Sequence, residues 1–147
     1  MTISENARTE RVESHSLEET FALGHRLAAS LRPGDVVALS GELGAGKTAL
    51  VKAIAAALGF QQAVTSPTFT IIHEYKTAPP LFHIDLYRLN TEQEAIDVGI
   101  EEYLRGDGVC LVEWAERIAR LLPQRTISIR IEVLSDTSRC FTIRRPC

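Results

Sequence analysis

The stretch Val36-Val37-Ala38-Leu39-Ser40-Gly41-Glu42-Leu43-Gly44-Ala45-Gly46-Lys47-Thr48 decides how the rest of the chain is read. An apolar run with β-branched residues stops at Ser40, and a Gly-x-x-x-x-Gly-Lys-Thr loop follows it. The helix-forming run Ala49-Leu50-Val51-Lys52-Ala53-Ile54-Ala55-Ala56-Ala57-Leu58 comes next. Strand, glycine loop and helix form the context in which this pattern counts as a phosphate-binding P-loop. Gly41, Gly44 and Gly46 let the backbone turn tightly and bring its N–H groups close to a polyphosphate. The unpaired amides and positive dipole end of the following helix point at the same anion. Lys47 adds a cation for the β and γ phosphates, and the Thr48 hydroxyl is placed to ligate Mg²⁺. The bland alternative is a glycine-rich turn that carries Lys-Thr by coincidence, and the flanking strand and helix weigh against it. The motif points to a bound nucleoside triphosphate without naming a reaction.

Outward from the loop, 147 residues suit one domain with a single core. Apolar residues at 45% and charged residues at 24% are those of an ordinary globular protein. A net charge of −3 opposes broad non-specific nucleic-acid binding, so any contact with RNA would run through a protein partner. Cys110, Cys140 and Cys147 lack metal-ligand spacing and suggest reduced thiols in a cytoplasmic protein, the first two as small buried hydrophobes in strands. The polar first dozen residues lack the apolar segment of a signal peptide. No apolar run reaches the ~20 residues a membrane span needs.

Upstream of the loop, residues 1–13 read as a flexible polar lead-in. Ser16-Leu17-Glu18-Glu19 is a capping box, and Leu17, Phe21, Leu23, Leu27 and Leu31 at helical spacing predict a packing helix to about Ser30. Arg32-Pro33-Gly34-Asp35 is turn chemistry leading into the loop's strand. Downstream, Gly59 ends the loop's helix. Val64-Thr65-Ser66-Pro67-Thr68-Phe69-Thr70-Ile71-Ile72-His73-Glu74-Tyr75 opens as a hydroxyl-rich loop and closes as a strand. Thr65, Ser66 and Thr68 are either γ-phosphate sensors or simple strand-start residues.

Two carboxylates stand at predicted strand ends. Asp85 closes Leu81-Phe82-His83-Ile84-Asp85, where a P-loop sheet holds its Mg²⁺ carboxylate; the alternative is a loop-capping aspartate. Glu113 closes the short buried run Val109-Cys110-Leu111-Val112, and it could reach Mg²⁺ or orient an attacking water. His83 reads as a packed or hydrogen-bonded strand histidine, and Trp114 as a packing residue beside the site. Thr91-Glu92-Gln93-Glu94 caps a short helix to about Val98, with another helical turn expected over 100–104. The acidic run there is either a solvated face or a docking surface. A short helix over 115–122 is expected to end at Pro123. Alternation over 126–133 and 139–144, joined by Leu134-Ser135-Asp136-Thr137-Ser138, predicts a terminal antiparallel hairpin. The expected fold is α/β: three-layer, P-loop NTPase-like, with a mainly parallel central sheet.

Four blocks together carry a resemblance: Gly41 to Thr48, Ser66-Pro67-Thr68-Phe69-Thr70, His83-Ile84-Asp85-Leu86-Tyr87-Arg88-Leu89 and Leu111-Val112-Glu113-Trp114. In this order and spacing they resemble the TsaE (formerly YjeE) family, the ATPase subunit of bacterial tRNA threonylcarbamoyladenosine (t6A) biosynthesis. The resemblance implies a small ATPase working with TsaD and TsaB, with ATP and Mg²⁺ supporting threonylcarbamoyl transfer to adenosine 37 of tRNA. It places nucleotide contacts at Gly41, Glu42, Leu43, Gly44, Ala45, Gly46, Lys47, Thr48 and Ala49, with Thr68 and Arg139. Lys47, Asp85 and Glu113 become the catalytic set, and Thr48, Asp85 and Glu113 the metal set. Where relatives usually have Trp-Pro-Glu, this chain has Trp114-Ala115-Glu116, which alters the turn after the strand without removing the site.

No arginine finger accompanies the loop, so slow intrinsic turnover with activation by a partner is expected. A small-metabolite kinase is the alternative within the same fold, and a nucleotide-gated interaction module without significant catalysis is the alternative outside catalysis. The chain carries neither a recognisable arginine-bearing lid nor an Asn-Lys-x-Asp guanine-reading element.

Overall fold

The computed structural model describes residues 7–42, 45–60 and 71–146. Among them, seven strands and four α-helices run in the order β1 (Ala7–Ser14), α1 (Leu17–Ser30), β2 (Val36–Gly41), α2 (Lys47–Ala57), β3 (Ile72–Tyr75), β4 (Leu81–Asp85), α3 (Glu92–Asp97), α4 (Ile100–Arg105), β5 (Val109–Glu113), β6 (Ile127–Val133) and β7 (Arg139–Pro146). One sheet contains all seven strands, ordered β1-β7-β6-β2-β5-β4-β3.

The middle of that sheet is parallel, because β2 pairs with β6 and β5, and β5 with β4, all in the same direction. The other three pairings, β1–β7, β6–β7 and β3–β4, are antiparallel. The sheet is therefore mixed rather than mainly parallel. The correction falls at the two sides, where β3–β4 and β6–β7 are hairpins that need no helical crossover and β1 adds to β7 from the other end of the sequence. The expected terminal hairpin is β6–β7, in register from Ser128↔Arg144 to Val133↔Arg139.

A second correction concerns the polar lead-in. Residues 7–14 form β1, an outer strand paired with β7 from Ala7↔Pro146 to Ser14↔Arg139. Backbone pairing with β7, some seven-eighths of the chain away, supplies what composition lacked. Val12 is the one large apolar side chain of this strand that joins the core. A third correction shortens the expected helix over 115–122 to a 3₁₀ turn, Ala115–Ile118.

Both predicted caps form. Ser16 Oγ accepts from the Glu19 amide at 3.1 Å, and Glu19 Oε1 reaches back to the His15 amide at 2.8 Å. Thr91 Oγ1 accepts from the Glu94 amide at 3.2 Å, opening α3.

Helices cover both faces of the sheet. On one face, Leu23 and Leu27 of α1 and Leu50, Val51 and Ile54 of α2 pack with Val37, Leu39, Leu81, Leu111, Ile129 and Phe141 of the strands. On the other, Ala95, Ile100, Leu104 and Ile118 cover Val36, Ile84, Cys110 and Val112. α1 approaches α2 closely at Gly24, where an added Cβ would lie 2.3 Å from Ala53 Cβ of α2. β5 lies between β2 and β4 and is buried along its whole length, as its unbroken apolar run predicts.

Candidate functional site

The site begins where β2 ends. Gly46 stands before α2 with φ 109°, a left-handed conformation that glycine adopts without a steric penalty. The first turn of α2 therefore opens directly from the glycine loop, with its amides at the carboxyl end of the sheet. Leu43, Gly44, Thr65, Ser66 and Thr68 lie outside the described residues. The Glu42 carbonyl accepts from the Ala45 amide at 2.9 Å, closing the described part of the loop.

Lys47 turns back under the loop instead of into solvent. Its Nζ donates to the Gly41 carbonyl at 3.0 Å and lies 3.6 Å from Glu113 Oε1. It also sits 5.5 Å from the centre of the Trp114 ring. The other Glu113 oxygen, Oε2, is 2.5 Å from His83 Nε2. Lys47, His83 and Glu113 are all buried. Burial pushes the Glu113 carboxyl upward, but hydrogen bonding and charge from His83, with Lys47 adding to them, outweigh it and hold the group below its ordinary value. Glu113 is accordingly a carboxylate, with a cation on one oxygen and an imidazole on the other.

Strand periodicity explains this convergence. Alternate residues share a face, so Leu81, His83 and Asp85 of β4 project with Val109, Leu111 and Glu113 of β5 toward the side covered by α2. Asp85 pairs in register with Glu113. Its Oδ1 accepts from the Tyr87 amide at 3.0 Å, so the loop-capping role is realised here. Asp85 and Glu113 thus end adjacent strands, and Thr48 lies in the first turn of α2, which leaves Lys47 beside Glu113; all three carry hard oxygen donors. Such a set fits Mg²⁺, which takes one or two carboxylates and fills its remaining positions with water and phosphate oxygens.

Arg139 belongs to the same neighbourhood from the far end of the chain. Its Nε donates to the Ala45 carbonyl at 3.1 Å, and its Nη1 donates to the Ser135 carbonyl at 2.7 Å. The β6–β7 turn is thereby tied to the glycine loop. Beside that tie lies a cavity of 380 Å³ bordered by Thr20, Gly46, Ala49, Arg139 and Phe141. The start of α1 thus borders the site, although its sequence pattern speaks only of packing.

Two residues read as packing have a larger part than that. His83 is hydrogen-bonded, as one of its readings had it, but its partner is the candidate acid. The period-2 placement of His83 with Asp85 was the available signal. Trp114 adopts φ 61° and ψ 38°, a left-handed conformation costing a non-glycine residue about 1–3 kcal/mol. Its ring is held at 5.1 Å from that of Tyr87 and 5.4 Å from the Arg117 guanidinium. Strain at such a turn concentrates at functional sites, and here it brings an aromatic face to Lys47.

Comparison with known proteins follows the same outline. The family model described as threonylcarbamoyl adenosine biosynthesis protein TsaE matches residues 14–141. The chain is 49% identical over 126 residues to the tRNA threonylcarbamoyladenosine biosynthesis protein TsaE of Bacillus subtilis, covering 85% of this chain and 78% of that one. It is 42% identical over 133 residues to the protein of the same name from Treponema pallidum, covering 90% and 98%. Among solved structures it is similar to the crystal structure of Bacillus subtilis YdiB, with TM-score 0.79 and 39% identity over 96% of this chain and 88% of that one.

Proposed function

The chain belongs to the TsaE family of threonylcarbamoyl adenosine biosynthesis proteins, and we propose that it acts there as a Mg²⁺-dependent ATPase of P-loop NTPase-like fold. The observation that carries the reading is the buried cluster at the mouth of the glycine loop, where Lys47 rests against the Gly41 carbonyl and Glu113. A lysine in that position exchanges two protein acceptors for β- and γ-phosphate oxygens by a rotation of its own side chain. The amides at the start of α2 hold the same phosphates.

Thr48, Asp85 and Glu113 would hold the metal, whose charge neutralises that developing on the phosphates. The base and ribose have room in the cavity beside Gly46 and Ala49, with Arg139 at its edge. Glu113 is the group placed to orient a water, because it ends a buried strand and stays ionised. In this reading the chain supplies nucleotide-driven work to TsaD and TsaB during threonylcarbamoyl transfer to adenosine 37 of tRNA, and tRNA meets it only through those proteins. The reading includes slow turnover alone and stimulation by the partners.

The test is ATP hydrolysis and t6A formation with and without TsaD–TsaB, for wild type, Lys47→Ala and Glu113→Ala. Removing a charge-assisted contact worth about 1.5–3 kcal/mol weakens binding about 10- to 150-fold, the expectation for Lys47→Ala and nucleotide. Glu113→Ala should bind and not turn over. Partner-independent fast hydrolysis, or t6A formation undiminished in Lys47→Ala, would sink the proposal. Phosphate delivered to a metabolite rather than to water would identify a kinase instead.

A further inference from the structure

We infer that His83 is the positioning residue for Glu113: it holds Oε2 of the carboxylate so that Oε1 alone is presented to the phosphate side of the site. The inference deepens the ATPase reading and rests on it.

Three observations carry it. First, a carboxylate oxygen only accepts, so the 2.5 Å contact with Glu113 Oε2 places a proton on His83 Nε2. Second, the ring is 1% exposed, and its other nitrogen, Nδ1, is buried without a hydrogen-bond partner among the described residues. A histidine retained for packing would leave a phenylalanine or leucine equally serviceable, and a buried ring nitrogen without a partner is a cost that packing does not repay. The one polar contact that this ring makes among the described residues is spent on the candidate acid. Third, the remaining oxygen, Oε1, faces Lys47 at 3.6 Å. When Lys47 turns to a phosphate, Oε1 loses its neighbour while Oε2 keeps its own. Without His83 the carboxylate is free to rotate about its last torsion, a broad two-fold well with no staggered preference to hold it.

The geometry is set by the sheet. His83 is opposite Leu111 across β4–β5, two residues before the Asp85↔Glu113 pair, so the imidazole reaches forward along one face to the carboxylate. Partners placed behind a metal ligand or a catalytic base typically change affinity or activity about 10- to 100-fold when removed.

The experiment compares His83→Phe, which keeps a ring and loses the donor, with His83→Gln, whose amide Nε2 reproduces the donor at similar reach, and His83→Asn, whose donor is too short. Fluorescently labelled ADP is titrated in EDTA and in Mg²⁺, and partner-stimulated hydrolysis is followed in parallel. Thermal melts accompany both measurements. In EDTA, where Lys47 and the loop amides carry binding, all three variants should stay within about twofold of wild type. The gain in affinity on adding Mg²⁺ and the value of kcat should fall about 10-fold or more in His83→Phe and His83→Asn, with KM for ATP rising in step with the lost Mg²⁺-dependent affinity, and all three should recover in His83→Gln.

Wild-type Mg²⁺ enhancement and kcat retained in His83→Phe overturn the inference and leave the ATPase reading intact. Should His83→Phe fail to fold, the Gln and Asn variants decide: equal behaviour of the two overturns the inference. A wild-type chain that shows no Mg²⁺-dependent nucleotide binding overturns the inference together with the reading it rests on.

Discussion

Glu113 and Cys110 lie on one strand, three residues apart, and the protein treats their ionisation in opposite ways. Glu113 faces α2 and keeps its charge because a lysine and a histidine stand against it. Cys110 faces the other core, is fully enclosed, and donates to the Tyr103 carbonyl at 3.2 Å. Burial alone pushes its thiol up from 9.0 to about 12. The folded protein therefore keeps the proton in a range where the unfolded chain releases it. Between pH 9.0 and about 12 the unfolded state binds fewer protons, so this group makes stability fall as pH rises through that window. Alkylation by iodoacetamide at pH 8.5 should leave Cys110 unmodified in the native protein and label it in urea, as read by peptide mass spectrometry. Labelling at the native rate of a free thiol would contradict the burial. That Cys110 would be buried was legible from its place in an apolar run. That Glu113 would be buried and still charged was not, because both of its partners come from other elements.

Among the elements, α1 and α2 depend on a contact that neither helix reveals alone. Gly24 interrupts α1 in a position where alanine would favour the helix by about 1 kcal/mol. A Cβ there would meet Ala53 Cβ at 2.3 Å, so one helix must move. Overpacking of this kind costs about 1–3 kcal/mol and outweighs the propensity gain. Gly24→Ala should therefore lower the urea midpoint, and adding Ala53→Gly should restore part of the loss. Additive effects in that double-mutant cycle would show that the two sites do not touch. The helix itself, its Ser16 cap and its end were readable from spacing and capping chemistry. β1 was not, since an outer strand with one apolar side chain in the core carries little periodic signal. Its hydrogen bonds go to β7, and its identity as a strand exists only once β7 is in place.

At the scale of the molecule, the sheet order gathers the ends of β2, β4 and β5 with the start of α2 at one edge of the domain. The β6–β7 turn reaches the same edge through Arg139. A ligand bound there contacts elements from both halves of the chain and should stabilise the whole. At a concentration about 100 times Kd the gain is about 2.7 kcal/mol, which for a domain of this size raises Tm by about 5–10 °C. Scanning calorimetry with ADP and Mg²⁺ should show that rise in wild type and little of it in Lys47→Ala. An equal rise in both would separate the binding site from the glycine loop.

The amino-acid sequence by itself determined the glycine loop between its strand and helix, the capped helices, the buried strand ending in Glu113 and the terminal hairpin. Each of these is written in neighbouring residues, through turn chemistry, side-chain periodicity or a cap three residues from its partner. Only the tertiary structure decided that Glu113 is shared between Lys47 and His83, that Arg139 closes on Ala45, and that residues 7–14 are a strand. Those are pairings between distant segments. No local propensity encodes them, because the free energy that fixes them appears only when the sheet brings the segments within hydrogen-bonding reach.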